Sequence, residues 1–187
     1  MNARFTSMGT PIQGLTVIER KPMGDERGRL VRLFCSEELS DLFAGRGIAQ
    51  INHTHTGKSG TVRGMHYQHP PHAEMKMVMC LRGEVFDVAV DLRTGSPTFL
   101  RWHAEVLRPD NHKALLIPEG FAHGFQALTD GCELLYFHTA GYDPAAEGGL
   151  HPQDPALAIY WPKSVSGLSP RDAAHPLLDG GFRGLDV

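Results

Sequence analysis

Between residues 60 and 140 the chain alternates apolar and polar positions in short runs broken by glycine and proline. Met75, Met77, Met79 and Leu81 interleave with Lys76, Val78, Cys80 and Arg82, a period of two that predicts a strand. Arg82-Gly83 marks a turn, and residues 85–92 then read as a second strand. That strand carries Asp87 and Asp91 on one face and Phe86, Val88 and Val90 on the other. Four more runs follow, at residues 100–107, 114–117, 121–128 and 132–139, separated by the turn signals Pro109-Asp110-Asn111, Pro118-Glu119-Gly120 and Thr129-Asp130-Gly131. Short strands at this spacing predict an all-β sandwich or barrel, and a jelly roll fits the length best. A short peripheral helix is expected near Ser36, whose hydroxyl can cap it ahead of Glu37 and Glu38. Beyond Tyr142 the chain is rich in proline and glycine, with one helical turn expected at residues 155–159 and a frayed tail from Asp179 onward. With no internal repeat, residues 1–187 read as one domain with its core at about 15–175.

Composition narrows the function classes. The net charge of −3 argues against a nucleic-acid surface, which needs clustered cations. The three cysteines, Cys35, Cys80 and Cys132, form no CxxC pair; with no apolar targeting segment at the start, they suit a reducing cytoplasm. No run is apolar and long enough to span a membrane. Eleven histidines are many for this length and direct attention to acid–base or metal chemistry.

Two clusters concentrate the reactive side chains: Arg63, His66 and Tyr67 with Lys76 after them, and residues 118–125 around His123. Removing a proton beside a ketone needs a neutral imidazole held in one tautomer, and His66 with Asp172 as orienting partner supplies the pair. The enolate so formed needs fixed positive charge or donors, for which Lys76 and His123 are candidates. Tyr136 is the candidate acid on the opposite face, and Arg63, Arg171 and Arg27 can grip a diphosphate through forked hydrogen bonds. Simpler readings compete at every position. A strand histidine is usually structural, Tyr136 fits a core, and Asp87 and Asp91 read as a solvated or paired face. Strict alternation also separates Arg63 from His66 unless Gly64 introduces a bulge. A metal held by His53 and His55 with Glu119, His123, His69 or His72 is disfavoured, because no acidic residue closely follows His55 and Lys76 brings a competing cation.

Taken together, the motifs resemble the dTDP-4-dehydrorhamnose 3,5-epimerase family, the RmlC-like cupin sugar-nucleotide epimerases. The likeness rests on Asp25-Glu26-Arg27-Gly28, Gln50-Ile51-Asn52-His53, residues 62–68, Lys76, residues 82–93, Gly95-Ser96-Pro97-Thr98-Phe99, residues 117–125, Glu133-Leu134-Leu135-Tyr136 and Asp154-Pro155-Ala156-Leu157. The resemblance implies a cupin jelly roll (double-stranded β-helix), a homodimer, no metal or organic cofactor, and a nucleotide-diphosphate 4-keto-6-deoxy sugar as substrate. It implies His66 as proton acceptor supported by Asp172, Tyr136 as proton donor, and Lys76 and His123 beside the keto sugar. It further implies Arg63, Gln50 and Asn52 as sugar or phosphate contacts, Tyr142 stacked on the base, Glu147 and Arg171 as ligand contacts, and Arg27 as a contact that can come from the partner subunit. The chain departs from the family at Arg29, where an aromatic residue is usual, and at Arg32, where an acid is usual; the added charge implies a different contact at the nucleotide. Rival expectations are epimerisation of one carbon, a keto-sugar isomerisation, a metal-dependent cupin oxygenase, and a carbohydrate-binding or regulatory cupin. Retention of Tyr136 favours inversion over isomerisation, since inversion needs a donor on the far face.

Overall fold

The computed structural model describes residues 4–187. Among these are thirteen strands and one short helix. The strands are β1 (Phe5–Gly9), β2 (Thr16–Arg20), β3 (Met23–Asp25), β4 (Gly28–Leu30), β5 (Gln50–Thr56), β6 (Val62–Gln68) and β7 (Lys76–Arg82). They continue as β8 (Val85–Asp91), β9 (Trp102–Leu107), β10 (Lys113–Ile117), β11 (Phe121–Ala127), β12 (Cys132–His138) and β13 (Glu147–Gly149), and the helix α1 is Pro170–Ala173. A six-stranded sheet in the order β1-β2-β10-β7-β12-β5 faces a five-stranded sheet in the order β13-β6-β11-β8-β9, with β3-β4 as a separate hairpin. Every strand pair is antiparallel. This is the jelly-roll sandwich of the cupins, and the alternation in residues 75–92 places its strands correctly.

Hydrophobic packing occurs in three layers, which explains why so many strands are apolar on both faces. Between the sheets lie Val17, Val78, Leu115 and Ile117 against Ala89, Leu107, Phe121 and Phe125. The outer face of the six-stranded sheet presents Ile18, Met77, Met79, Leu116 and Phe137, covered by Leu39 and Phe43 with Leu33 and Phe34. The outer face of the five-stranded sheet presents Met65, Val88, Val90 and Ala122, covered by Leu150, Leu157, Leu185 and Trp161.

The structure differs from the sequence expectations in three places. The helix expected near Ser36 is a run of turns over residues 36–45, in which only scattered helical bonds form, Leu39 N–H to Cys35 O and Phe43 N–H to Leu39 O among them. Their spacing still sends Leu39 and Phe43 into the core, while Ser40 and Asp41 favour local turn bonds over a continuous helix. The tail is docked rather than frayed: Leu185 donates to Leu92 O at 2.7 Å, accepts from Thr94 N–H at 3.0 Å, and is buried. Burying that leucine offsets the entropy of ordering the segment, by about 1.5–3 kcal/mol. The face bearing Asp87 and Asp91 is paired rather than solvated: it points inward, and both carboxylates are fully buried. Asp91 is satisfied there by Arg93, Ser96 and Thr98.

Candidate active site

A cavity of about 570 Å³ lies between the sheets at one end of the sandwich, and it gathers most of the side chains picked out from the sequence. Lys76, Tyr136 and His138 reach it from β7 and β12, Asn52 and Thr54 from β5, His66 from β6 and His123 from β11. Helix α1 and the segment before it close one wall with Ser169, Arg171 and Asp172.

Arg63 and His66 both line this cavity because β6 carries an extra residue. His123 pairs with His66 and Phe125 with Arg63, so three steps along β6 match two along β11. Gly64 makes the bulge possible: its φ is +126°, and a Cβ built there would lie 2.5 Å from Gly124 Cα. The bulge at Gly64 is therefore real and turns two side chains that alternation would separate toward the same space.

His66 Nε2 lies 2.7 Å from Asp172 Oδ1. Asp172 is buried, and α1 fixes it: the Ser169 hydroxyl caps the helix by accepting from Asp172 N–H at 3.0 Å. Burial alone would raise the Asp172 pKa, but the hydrogen bond from His66, with backbone donation from Gly64, holds it below the ordinary carboxylate value. The carboxylate therefore accepts a hydrogen bond from Nε2–H, which leaves the lone pair on Nδ1. Burial lowers the His66 pKa, outweighing the raising influence of Asp172, so the ring is neutral near pH 7 and ready to accept a proton.

His123 forms a second dyad, with Nε2 2.8 Å from Asp87 Oδ1 and both side chains almost wholly buried. Asp87, read from the sequence as part of a solvated or paired face, was missed as a site residue. It shares its strand face with Val85 and Ala89, both buried between the sheets. Tyr136 stands beside this pair, its ring 5.9 Å from that of His123 at 71°. Burial first, and then the Asp87 charge, push the Tyr136 phenol well above its ordinary pKa and keep it protonated. Lys76 is buried with its Nζ 2.8 Å from Glu74 Oε1.

A second group of side chains meets the cavity mouth. Arg171 donates to both oxygens of Glu147 at 3.1 and 2.8 Å, and the Tyr142 hydroxyl donates to Glu147 Oε2 at 2.9 Å. Gln50 does not line the cavity; its Oε1 accepts from Tyr142 N–H at 3.1 Å and so places the aromatic residue. Arg63 donates to Thr56 Oγ1 and His55 O. Arg27 stands apart on the exposed β3–β4 hairpin, paired with Asp25 at 2.6 Å, and is not among the residues lining this chain's cavity.

The metal alternative finds no set of ligands at His53 and His55. Both face outward on β5, and His53 pairs with Glu133 at 3.1 Å. Among the described residues one trio, His66, Asp172 and His175, brings ligand atoms within 4.8 Å of one another. Two of its members already bond each other, and the Arg171 guanidinium lies 3.2 Å from His66 Nε2, where its charge opposes a second cation.

The family model of dTDP-4-dehydrorhamnose 3,5-epimerase matches residues 9–180. The chain belongs to that family. It is 42% identical to the dTDP-4-dehydrorhamnose 3,5-epimerase of Salmonella typhimurium over 172 residues, covering 91% of this chain and 93% of the relative. It is 40% identical to a dTDP-4-dehydrorhamnose 3-epimerase of Streptomyces niveus, covering 89% of this chain and 81% of that one. Among solved structures, the dTDP-6-deoxy-D-glucose-3,5-epimerase of Legionella pneumophila in complex with dTDP-4-keto-L-rhamnose superposes with a TM-score of 0.87 at 41% identity, covering 92% of each chain. Against this family background, Glu74 and His138 are the cavity-lining titratable residues that the sequence reading did not single out. The period-two pattern of β12 placed His138 on the face of Tyr136, but no motif marked it.

Proposed function

We propose that this protein epimerises a nucleotide-diphosphate 4-keto-6-deoxy sugar, converting dTDP-4-dehydro-6-deoxyglucose to dTDP-4-dehydrorhamnose. The observation that carries the reading is the convergence of the His66–Asp172 pair, Tyr136 and Lys76 on one cavity. His66 Nδ1 takes the proton from a carbon beside the ketone, and the electron pair moves onto the ketone oxygen. Lys76 and His123 stabilise the resulting enolate oxygen. Tyr136 returns a proton from the opposite face, which inverts the centre. Arg63, Asn52 and Arg171 hold the sugar and diphosphate, Glu147 orients Arg171, and Tyr142 stacks on the base with Gln50 behind it. Every step uses side chains of the chain itself.

The protein acts as a single cupin domain in a cytoplasmic homodimer, in which Arg27 on its exposed hairpin reaches the partner's cavity. No helix among the described residues is long and apolar enough to cross a membrane. A second reading, inversion of the third carbon alone, draws support from the 3-epimerase of Streptomyces niveus.

Incubation in heavy water with dTDP-4-keto-6-deoxyglucose tests both. Deuterium at the third and fifth carbons supports the double epimerase, and deuterium at the third carbon alone supports the single one. Exchange at neither carbon overturns the proposal. Full activity after exhaustive chelation, with elemental analysis of the active protein, tests the reliance on side chains alone.

A further inference from the structure

Three imidazoles line the one cavity, each paired with a carboxylate. Two of them, His66–Asp172 and His123–Asp87, have places in the proposed reaction; the third, His138–Glu74, has none. His138 ends β12 two residues beyond Tyr136, with the two rings nearly parallel at 13° and their centres 5.9 Å apart. Its Nδ1 lies 2.8 Å from Glu74 Oε2, and the other carboxylate oxygen of Glu74 holds Lys76 Nζ at 2.8 Å. The side chains of His138, Glu74 and Lys76 are only 12%, 8% and 8% exposed.

This chain of contacts fixes the tautomer of His138. Glu74 is ionised, because the His138 hydrogen bond and the Lys76 charge outweigh its burial. In the neutral ring Nδ1 therefore donates to the carboxylate, and Nε2 carries the lone pair. The neighbour of Nε2 is the Asn52 amide nitrogen at 3.4 Å, at the long limit for an N–H donor. A mostly buried acceptor with so weak a partner, on the wall of a ligand cavity, is suited to a better donor from the ligand.

We propose that His138 is a substrate-binding residue whose Nε2 accepts a hydrogen bond from the C2 hydroxyl of the bound hexose, so that the cavity selects sugars bearing that hydroxyl. The assignment rests on the epimerase reading. A 4-keto-6-deoxyhexose carries ring hydroxyls at C2 and C3, and C3 is itself a reacting centre. The C2 hydroxyl keeps its configuration through the reaction and is the one a fixed acceptor can hold throughout. Glu74 is the positioning residue, since it engages Nδ1 and so leaves Nε2 as the acceptor.

The test compares wild-type protein with His138→Ala on dTDP-4-keto-6-deoxyglucose and on its 2-deoxy counterpart, reading kcat/KM and deuterium wash-in. The wild type is expected to prefer the hydroxylated sugar by at least about tenfold, because the analogue leaves a built acceptor unpaired. His138→Ala is expected to remove the preference by slowing the hydroxylated sugar, chiefly through KM, with the 2-deoxy sugar little changed. His138→Phe keeps the ring against Tyr136 while deleting Nε2; it makes the same comparison if the alanine variant folds poorly. A preference that survives in the variants, or an equal loss on both sugars, overturns the assignment alone. Exchange with neither sugar in the wild type overturns the epimerase reading and this assignment with it.

Discussion

Asp172 and His66 sit 106 positions apart in sequence, yet Asp172 Oδ1 lies 2.7 Å from His66 Nε2, brought there by a four-residue helix that Ser169 caps. The carboxylate sets the tautomer, so its replacement should cost rate without dismantling the cavity. Asp172→Asn is expected to lower deuterium exchange by about 10²–10⁴-fold, within the range general-base catalysis supplies. His66→Ala should abolish exchange at both carbons. Equal exchange rates for wild type and Asp172→Asn would remove the carboxylate from the mechanism.

The acid limb of the pH profile follows from the charges around His66. The base works only when neutral, so kcat/KM falls as pH drops through its pKa, and burial places that pKa below the ordinary imidazole value of 6.5. Asp172 raises this pKa and Arg171 lowers it. Arg171→Ala is therefore expected to move the acid limb upward, and Asp172→Asn to move it downward. The Arg171–Glu147 pair is exposed on its arginine side, so Arg171→Ala should leave the melting curve nearly unchanged while raising KM. A shift of the acid limb in the same direction in both variants would contradict this electrostatic account.

Tyr136 separates abstraction from return. Tyr136→Phe removes the far-face donor but leaves the His66 dyad intact, so exchange should persist while epimerisation falls by about 10² or more. Equal loss of the two activities would place Tyr136 elsewhere in the reaction.

Local pattern made the framework legible, because strand alternation and turn residues act over short range. The alternation in residues 75–92 located β7 and β8, and glycine at position 64 signalled the bulge that brings Arg63 and His66 together. Longer-range facts were hidden. The inward direction of Asp87 depended on whether both faces of β8 were covered, and the segments covering the outer face lie at residues 150–185. Leu185 looked like a loose end because its partner, Leu92, is far away in sequence. His138 and Glu74 matched no motif, and only the pairing of β12 with β7 places His138 beside Lys76.

Gly64 offers a stability test independent of any substrate. A methyl group there meets Gly124 Cα at 2.5 Å and must adopt a φ of +126°, a region that side chains rarely occupy. Strain and overpacking together predict that Gly64→Ala loses roughly 2–4 kcal/mol in denaturant unfolding, with activity falling further as the bulge shifts. A variant as stable and active as wild type would show that β6 tolerates a regular register.

The buried carboxylate of Glu74 ties stability to pH. Its pKa is held at about 2, against an ordinary 4.5, by His138 and Lys76 acting over the opposing effect of burial. A carboxylate with a folded pKa below its unfolded one stabilises the fold fully above the unfolded value and loses that contribution as pH falls through the folded one. The wild type should therefore lose on the order of 3 kcal/mol from this group between pH 4.5 and pH 2. Glu74→Gln cannot titrate, so its unfolding free energy should fall less steeply over the same window, narrowing the gap between the two proteins as the solution is acidified. Parallel slopes in chemical denaturation at several pH values would mean that Glu74 is not the buried, doubly paired anion that its contacts to His138 and Lys76 describe.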